Sequence, residues 1–415
     1  MDGVIQCTCP FYAGSVANGH TDAPSRCPLN SSMATILPSQ RALFDVPDDI
    51  AYFNNAYLAP QLCASRERQL AGIHARSHPW ERNAASFFED AETVRALCAR
   101  VLGGDVDGYA VVPAASYGVS TAARAIEPRL KPGDAILLIA EEFPSNVLPW
   151  KRVAQETGAT VVTVPTPADG NWMPAILERI DGNVRVVAAA PSHWTNGARI
   201  DLQPVGKACR DVGAMLVVDA SQSLGAAPFS IAQVQPDFLV AAAYKWLLCP
   251  YGFAVLYVSE QWRDARPLEE SWLVRERAED FANLIRYSDT YMPGARRFDG
   301  GEKCSSTILP GAIAALEQIH AWGIENIAAT LMVTNATIAS HLQRLGFKVP
   351  TQAQRSPHMF GAQLPDSYRG NILDGLRERG IYISQRGNSL RFAPHLHVNS
   401  RDVDRLAQAL DELVR

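Results

Sequence analysis

Two stretches, Met215-Leu-Val-Val-Asp219-Ala-Ser-Gln222 and Phe238-Leu-Val-Ala-Ala-Ala-Tyr244-Lys245-Trp246, decide the fold of this chain. Each begins with a short run that is apolar throughout, which is typical of a strand buried on both faces of a sheet. The first run ends in Asp219, and Lys245 comes just after the second run, Phe238 to Ala243. Ligands of open α/β sheets bind outside the carboxyl ends of the strands. We therefore expect Asp219 and Lys245 to lie together at a ligand site.

Similar apolar runs alternate with helix-like segments between residues 100 and 260, and this alternation predicts a mostly parallel sheet flanked by helices. From about Gly311 the pattern changes to a long helix interrupted near Gly323, then short strands, a helix and an amphipathic C-terminal helix that Ser400 could cap. The predicted fold class is α/β, with a smaller C-terminal α+β domain. The other predicted strands are Ala110–Val112, Ala135–Ile139, Thr160–Val164, Arg185–Ala190, Phe253–Val258, Phe347–Val349, Met359–Leu364, Ile381–Ser384 and Leu390–Ala393.

Composition and charge exclude several classes of function. The 415 residues carry a net charge of −5 with no basic run, so a nucleic-acid partner is not expected. No apolar stretch is long enough to span a bilayer, and no signal peptide is evident, so we expect a cytoplasmic protein that does not bind membranes. The 8 cysteines are scattered, which favours free thiols and predicts no metal site.

Residues 1–33 differ from the rest of the chain because they are rich in Ser, Asn, Gly, Pro and Cys and show no periodicity. We interpret them as a flexible extension, or as sequence translated upstream of a true start at Met33.

The pair Lys245 and Asp219 suggests the chemistry of pyridoxal 5′-phosphate (PLP). A lysine beside buried apolar surface loses its proton more easily, and a neutral amine forms an imine (a Schiff base) with an aldehyde. A carboxylate can pair with the protonated ring nitrogen of the cofactor, which then draws electrons from the substrate carbon. Taken singly, Lys245 could be a solvated loop residue and Asp219 a helix cap; their joint position favours the functional interpretation.

Around this pair the sequence resembles the class V aminotransferase family of fold-type I PLP enzymes, which includes cysteine desulfurases, kynureninases and isopenicillin-N-epimerase-like proteins. The resemblance covers roughly residues 45–415. It is carried, in order, by blocks at residues 52–60, 112–120, 141–150, 192–197, 241–252, 296–302 and 384–397. It implies an N-terminal arm over residues 34–60, a large cofactor-binding domain over 61–300 and a small domain over 301–415.

The resemblance also implies roles for single residues. Phosphate would be bound by Ala115, Ser116 and Tyr244, and, across the interface of a homodimer with shared sites, by Gly301. The ring of Phe143 would stack on the cofactor, whose phenolic oxygen would contact Asn196 and Gln222. Arg391 would clamp the carboxylate of an amino-acid substrate, and Asn55 of the arm would also face the substrate. For His193, substrate contact and a satisfied buried histidine are both open.

The sequence indicates the cofactor more clearly than the type of reaction. No cysteine lies between Arg377 and Arg391, where desulfurases of this family need their nucleophile, so persulfide chemistry is disfavoured. Transamination needs only Lys245 as a proton shuttle, and an aminotransferase is the first expectation; a lyase or epimerase is the alternative. A nicotinamide-dependent oxidoreductase is disfavoured because no Gly-x-Gly-x-x-Gly follows a strand. Retention of Lys245, Asp219 and Arg391 argues against an inactive binding protein on this fold.

Overall fold

The computed structural model describes residues 34–414, which form one compact unit. The extension expected over residues 1–33 lies outside the described residues. The division into domains over 61–300 and 301–415 stays a prediction. No helix in the described part of the chain is both long and apolar enough to cross a membrane.

The centre of the molecule is a seven-stranded sheet with the order β2-β8-β7-β6-β5-β3-β4. Strands β3 to β7 pair in parallel, whereas β8 runs antiparallel to both of its neighbours. The mostly parallel sheet predicted from the sequence is therefore confirmed. Its strands are β2 (Tyr109–Val112), β3 (Ala135–Ile139), β4 (Thr160–Val164), β5 (Val184–Ala189), β6 (Met215–Asp219), β7 (Phe238–Ala242) and β8 (Ala254–Val258).

Helices cover both faces of this sheet, and successive residues of each inner strand enter opposite cores. Leu216 and Val218 of β6 belong to one apolar cluster, while Met215 and Val217 belong to the other. This alternation follows from the two-residue period of a strand, and it explains why the inner strands are apolar throughout. Strand β4 is the exception: Thr160 and Thr163 are exposed because β4 lies at the edge of the sheet.

The helices before and around this sheet are α1 (Cys63–Arg76), α2 (Glu89–Leu102), α3 (Ala115–Ile126), α4 (Leu148–Thr157), α5 (Trp172–Leu177), α6 (Leu202–Val212) and α7 (Ile231–Val234). The later helices are α8 (Leu309–Trp322), α9 (Ile324–Arg344), α10 (Ile372–Arg377) and α11 (Ser400–Val414). The predicted break near Gly323 separates α8 from α9, because Gly323 adopts φ +76°.

The remaining strands lie outside the main sheet. Strand β1 (Ala51–Tyr52) pairs in parallel with β10 (Ile381–Tyr382), and β12 (Ser389–Phe392) lies between β11 (Ser384–Arg386) and β9 (Phe360–Gln363). The single strand predicted over 381–384 is thus divided between two sheets. The strand predicted at 347–349 is reduced to one bridge, Lys348 to Gln363. The cap of α11 is Asn399 rather than Ser400, because the Asn399 Oδ1 accepts from the Asp402 N–H.

Candidate active site

A cavity of about 260 Å³, the cofactor cavity below, opens at the carboxyl ends of the parallel strands. The segments after β3, β5, β6 and β7 all contribute to its wall, together with the start of α3. This is where the topology of an open α/β sheet places a ligand. Both Lys245 and Asp219 line this cavity, so the structure brings the two residues together as the sequence predicts.

Lys245 lies three residues beyond β7 and is only 7% exposed. Its Nζ is 5.5 Å from the centre of the Phe143 ring and 5.8 Å from that of Tyr244. Burial is the main cause that lowers the pKa of this amine to about 8. Asp219 opposes this shift in part, and repulsion from Arg391 and Arg386 adds to it. A substantial fraction of Lys245 is therefore a neutral, nucleophilic amine near pH 8.

Asp219 is the last residue of β6 and is 6% exposed. Its Oδ1 accepts from the N–H of Ser221 at 2.9 Å, which fixes the orientation of the carboxylate. Gln222 also lines the cavity, but both ends of its amide are engaged: Nε2 donates to the Ala56 carbonyl at 2.9 Å, and Oε1 accepts from Trp246 at 3.0 Å. Contact between Gln222 and a cofactor oxygen would require exchange of one of these bonds.

The N-terminus of α3 supplies a seat for an anion. Ala114, Ala115 and Ser116 line the cavity, and no side chain caps this helix. The first N–H groups of a helix have no partner within the helix and attract phosphate. Tyr244, which follows β7, lines the same cavity and its ring lies 4.5 Å from that of Tyr251. These positions agree with the phosphate contacts predicted for Ala115, Ser116 and Tyr244.

Phe143 presents its ring to the cavity and is 38% exposed. Its edge-to-face contact with Trp194, with ring centres 5.4 Å apart, holds it in place. An exposed aromatic face opposite a buried lysine is suited to stacking on a planar cofactor ring.

Arg391 is buried in β12 and has one unsatisfied donor. Its Nε donates to Ser384 at 3.1 Å and its Nη1 to the carbonyl of Trp194 at 2.7 Å, whereas Nη2 is buried without a partner. Burial lowers its pKa to about 9. A buried guanidinium with a free donor calls for an anion, and a substrate carboxylate would satisfy it.

Three other predicted residues, Asn55, Asn196 and Gly301, do not line the cofactor cavity. Asn55 lies beneath the lysine, where its Nδ2 donates to the Lys245 carbonyl at 3.2 Å, so it supports the lysine rather than facing a substrate. Asn196 lies outside the cofactor cavity: its Oδ1 accepts from the Ala198 N–H in a tight turn. The position of Asn196 therefore does not support a contact with the phenolic oxygen. Gly301 donates its N–H to Glu269 at 2.7 Å and lies outside the cavity of its own chain.

His193 fits the second of its two interpretations. Its ring stacks on Trp172 at 5.1 Å, and its nitrogens contact the Ala140 carbonyl and the Thr195 hydroxyl. Because both nitrogens have partners and the residue is 1% exposed, it is a satisfied buried histidine in this structure.

Sequence reasoning missed Glu142, which lines the cofactor cavity and is 8% exposed. Its Oε1 accepts from the N–H of Phe143 at 2.7 Å, while Oε2 is buried without a partner. Burial, and then the charge of Asp219, raise its pKa to about 8. Two acids directly after an apolar strand, Glu141 and Glu142, were the available signal. Ser192 and Trp194 were also missed as residues of the wall.

A second cavity of about 850 Å³, the outer cavity below, adjoins the first and shares Glu142 and Trp194 with it. Asn196, Arg386 and Asn388 also line the outer cavity. Together the two cavities offer a site for a cofactor and, beside it, space for a substrate.

Comparison with solved structures defines the class of fold. A cysteine desulfurase from Thermococcus onnurineus is 18% identical, with a TM-score of 0.79 over 92% of this chain and 99% of that chain. A mutant of C-DES with glycine covalently linked to its PLP cofactor is 18% identical, with a TM-score of 0.79 over 90% of this chain and 99% of that chain. The fold is that of the fold-type I PLP-dependent enzymes.

The chain belongs to the aminotransferase class-V family, whose profile matches residues 65–404. This is a family of PLP-dependent enzymes, and the predicted cofactor is thereby confirmed at the level of the family. A probable cysteine desulfurase of Pyrococcus abyssi is 26% identical over 68% of this chain and 71% of that protein. An uncharacterised aminotransferase of Bacillus subtilis is 25% identical over 78% of this chain and 83% of that protein.

The residues of the cofactor cavity fit PLP. The uncapped start of α3 suits a phosphate, Asp219 suits a protonated ring nitrogen, and Lys245 is a buried amine of lowered pKa. The exposed ring of Phe143 suits a planar ring system.

Proposed function

We propose that this chain is a PLP-dependent enzyme that transfers the amino group of an α-amino acid, with Lys245 as the residue that holds the cofactor and moves the α-proton. One observation carries the proposal: the Lys245 amine, the Asp219 carboxylate and the N-terminus of α3 line one cavity. These are an amine for an aldehyde, an acceptor for a ring N–H and donors for a phosphate, and PLP carries all three complementary groups.

Each residue has a separate task in this proposal. PLP, when bound, supplies the electron-accepting ring that makes the α-proton of an amino acid acidic. Asp219 keeps the ring nitrogen protonated, and Phe143 covers one face and excludes water from it. Arg391 holds the substrate carboxylate through its free Nη2. The Lys245 Nζ, poised by its lowered pKa, removes and returns a proton at the substrate α-carbon.

We propose transamination before other reactions because Lys245 is the one proton-transfer residue that it requires. None of the cysteines that the structure describes lines either cavity, so a thiol nucleophile for persulfide chemistry is not at hand there. A lyase or an epimerase is the alternative function, since both also begin with removal of the α-proton by a lysine.

The absorption spectrum of the purified protein with PLP tests the proposal. We expect a visible band that Lys245→Ala abolishes, because the imine cannot form without the amine, and that Lys207→Ala leaves unchanged, because Lys207 is an exposed lysine of α6. Borohydride should fix the cofactor on the peptide that contains Lys245. Borohydride fixation of the cofactor on a different peptide would refute the assignment.

The products then separate the reactions. Incubation with a panel of amino acids should yield keto acid together with the pyridoxamine form of the cofactor if the chain is an aminotransferase. Release of ammonia would favour a lyase instead, and inversion at the α-carbon an epimerase.

A further inference from the structure

The hairpin of β11 and β12 carries two arginines on one face. Ser384 pairs with Arg391 and Arg386 pairs with Ser389 in this antiparallel register. Because side chains alternate along a strand, Ser384 and Arg386 share a face, and Arg391, directly opposite Ser384, shares it too. The contact of 3.1 Å between the Arg391 Nε and the Ser384 Oγ agrees with this placement.

Both guanidiniums contact Trp194, one of the two residues shared by the cavities. Arg391 donates to the Trp194 carbonyl at 2.7 Å, and the Cζ of Arg386 lies 5.8 Å from the centre of the Trp194 ring. Arg386 lines the outer cavity. The hairpin therefore places one cation near the cofactor lysine and a second cation on the outer side of the same tryptophan.

Arg386 has no carboxylate partner among residues 34–414. Its hydrogen bond runs from Nη1 to the Gln385 carbonyl at 2.8 Å. Its charge nevertheless acts on the site, since it contributes to the lowered pKa of both Lys245 and Arg391, after the larger effect of burial. Like charges in a partly buried site repel one another, so an anion bound between them would be stabilised.

The other charged groups of the outer cavity do not neutralise Arg386. Lys348, the other cation of the outer wall, is already paired with Asp366 at 3.1 Å. Burial, and then Asp219, raise the pKa of Glu142 to about 8, which favours its neutral form. Glu141 and Asp169 are the remaining acids of the outer wall, and neither forms an ion pair with Arg386 within 4.0 Å.

We propose that the substrate is an amino acid with a second anionic group, a side-chain carboxylate, bound by Arg386 in the outer cavity while Arg391 holds the α-carboxylate. The inference rests on the function proposed above and adds the substrate class. The side chains of Asn388 and Ser389, also in the outer cavity, supply neutral polar groups for the same carboxylate.

The test compares each acidic amino acid with its neutral amide on the PLP-loaded enzyme. L-Aspartate and L-glutamate are compared with L-asparagine and L-glutamine, with L-alanine and L-ornithine as further probes. The half-saturating concentration is read from the change in cofactor absorbance, and kcat/KM from product formation. We expect an acidic amino acid to exceed its amide by at least about tenfold, as loss of one charged hydrogen bond of about 1.5–3 kcal/mol implies.

Two variants and one control test which arginine is responsible for the preference for acidic amino acids. Arg386→Gln should lower kcat/KM for the acidic substrate by about 10- to 100-fold more than it lowers kcat/KM for L-alanine. Arg391→Gln should weaken all amino acids alike, since all carry an α-carboxylate. Arg100→Gln, a change at an exposed arginine of α2, is the matched control and should change neither.

The outcomes separate this inference from the proposed function. If neutral amino acids change the cofactor spectrum as well as acidic ones do, or if Arg386→Gln affects all substrates equally, the inference is overturned while the proposed function stands. A preference for L-ornithine that Glu141→Gln removes would also overturn it, in favour of a site for basic side chains. If no amino acid alters the spectrum, the proposed function fails and the inference with it.

Discussion

At the scale of single residues, the cofactor cavity is unusual in holding two buried acids, Asp219 and Glu142, beside one buried amine. The two acids have different surroundings. Asp219 accepts a backbone N–H and faces Lys245, whereas Glu142 has an oxygen without a partner. Burial, and then the charge of Asp219, raise the pKa of Glu142 and so favour its protonated form.

Asp219→Asn should retain bound PLP but lose most of the activity. The amide has the shape of the carboxylate but cannot stabilise a protonated ring nitrogen, so removal of the α-proton becomes slower. We expect kcat to fall by at least about 100-fold, comparable with the loss of one strong electrostatic contact in a transition state. Asp211→Asn, at an exposed position of α6, is the control. Full activity in Asp219→Asn would contradict the pairing.

Glu142 should make the stability of the folded protein fall as the pH rises. Its pKa is raised from 4.5 to about 8 by folding, so between these values the folded state binds more protons than the unfolded state. The contribution of this group to the free energy of unfolding is fully present below pH 4.5 and is lost as the pH rises through 8. Glu142→Gln, which mimics the protonated acid, should therefore abolish this loss.

The measurement is urea unfolding of the cofactor-free protein at pH 5 and pH 8. The stability of the wild type should fall relative to that of Glu142→Gln by about 1 kcal/mol or more between these conditions, because one pKa unit corresponds to about 1.4 kcal/mol. Parallel pH profiles for the two proteins would show that Glu142 is ionised already at pH 5.

At the scale of secondary-structure elements, a buried charge cluster joins α2, β2 and the segment after residue 298. The Asp299 Oδ1 accepts from Arg95 and from the Val111 N–H, each at 2.8 Å, and its Oδ2 lies 3.0 Å from the Lys303 Nζ. The side chains of all three charged residues are fully buried. Burial alone would raise the pKa of Asp299, but Arg95 and Lys303 hold it below its usual value.

Asp299→Ala should destabilise the protein by about 3–5 kcal/mol, because it leaves the buried Lys303 without a counter-charge and Arg95 with only the partly exposed Glu92. Asp264→Ala provides the comparison: Asp264 also pairs with an arginine, Arg297 at 2.9 Å, but is 99% exposed. That change should cost less than about 1 kcal/mol. Denaturant unfolding of both variants measures the difference, and equal losses would mean that the buried cluster adds little to stability.

At the scale of the whole molecule, one wall of the cofactor cavity is open. Tyr251 lines the cavity and is 73% exposed, and other large side chains such as Trp80 and Tyr287 are also exposed. Gly301, expected to serve the phosphate of a partner, lies outside its own cavity. These features support a homodimer in which a second copy of the chain completes each site.

The native mass should therefore be twice the 45.2 kDa of one chain. Light scattering coupled to gel filtration measures this mass, and Tyr251→Asp should reduce PLP retention if the partner packs on this side. A monomer with full activity would remove the role assigned to Gly301.

The sequence by itself determined the strands of the main sheet, the order of the motifs and the pair Lys245 and Asp219. Apolar runs specify strands buried on both faces, and in a parallel sheet the residues that follow such strands meet at one edge whatever the detailed packing. The resemblance of the motif blocks to a known family pointed to the family and the cofactor, because each block is a local stretch of sequence.

Only the tertiary structure decided which neighbours each side chain meets. Asn196 follows β5 as expected, yet the turn after Ser192 directs it to the outer cavity, where its carbonyl accepts from the Gly361 N–H at 2.6 Å. Glu142 acquires its raised pKa first from burial and then from the charge of Asp219, which is 77 positions later in the chain. Arg386 and Arg391 both contact Trp194 only because their hairpin packs against a loop nearly 200 residues earlier in the chain. Burial and charge coupling of this kind arise only from packing between distant segments, so the local pattern of residues does not contain them.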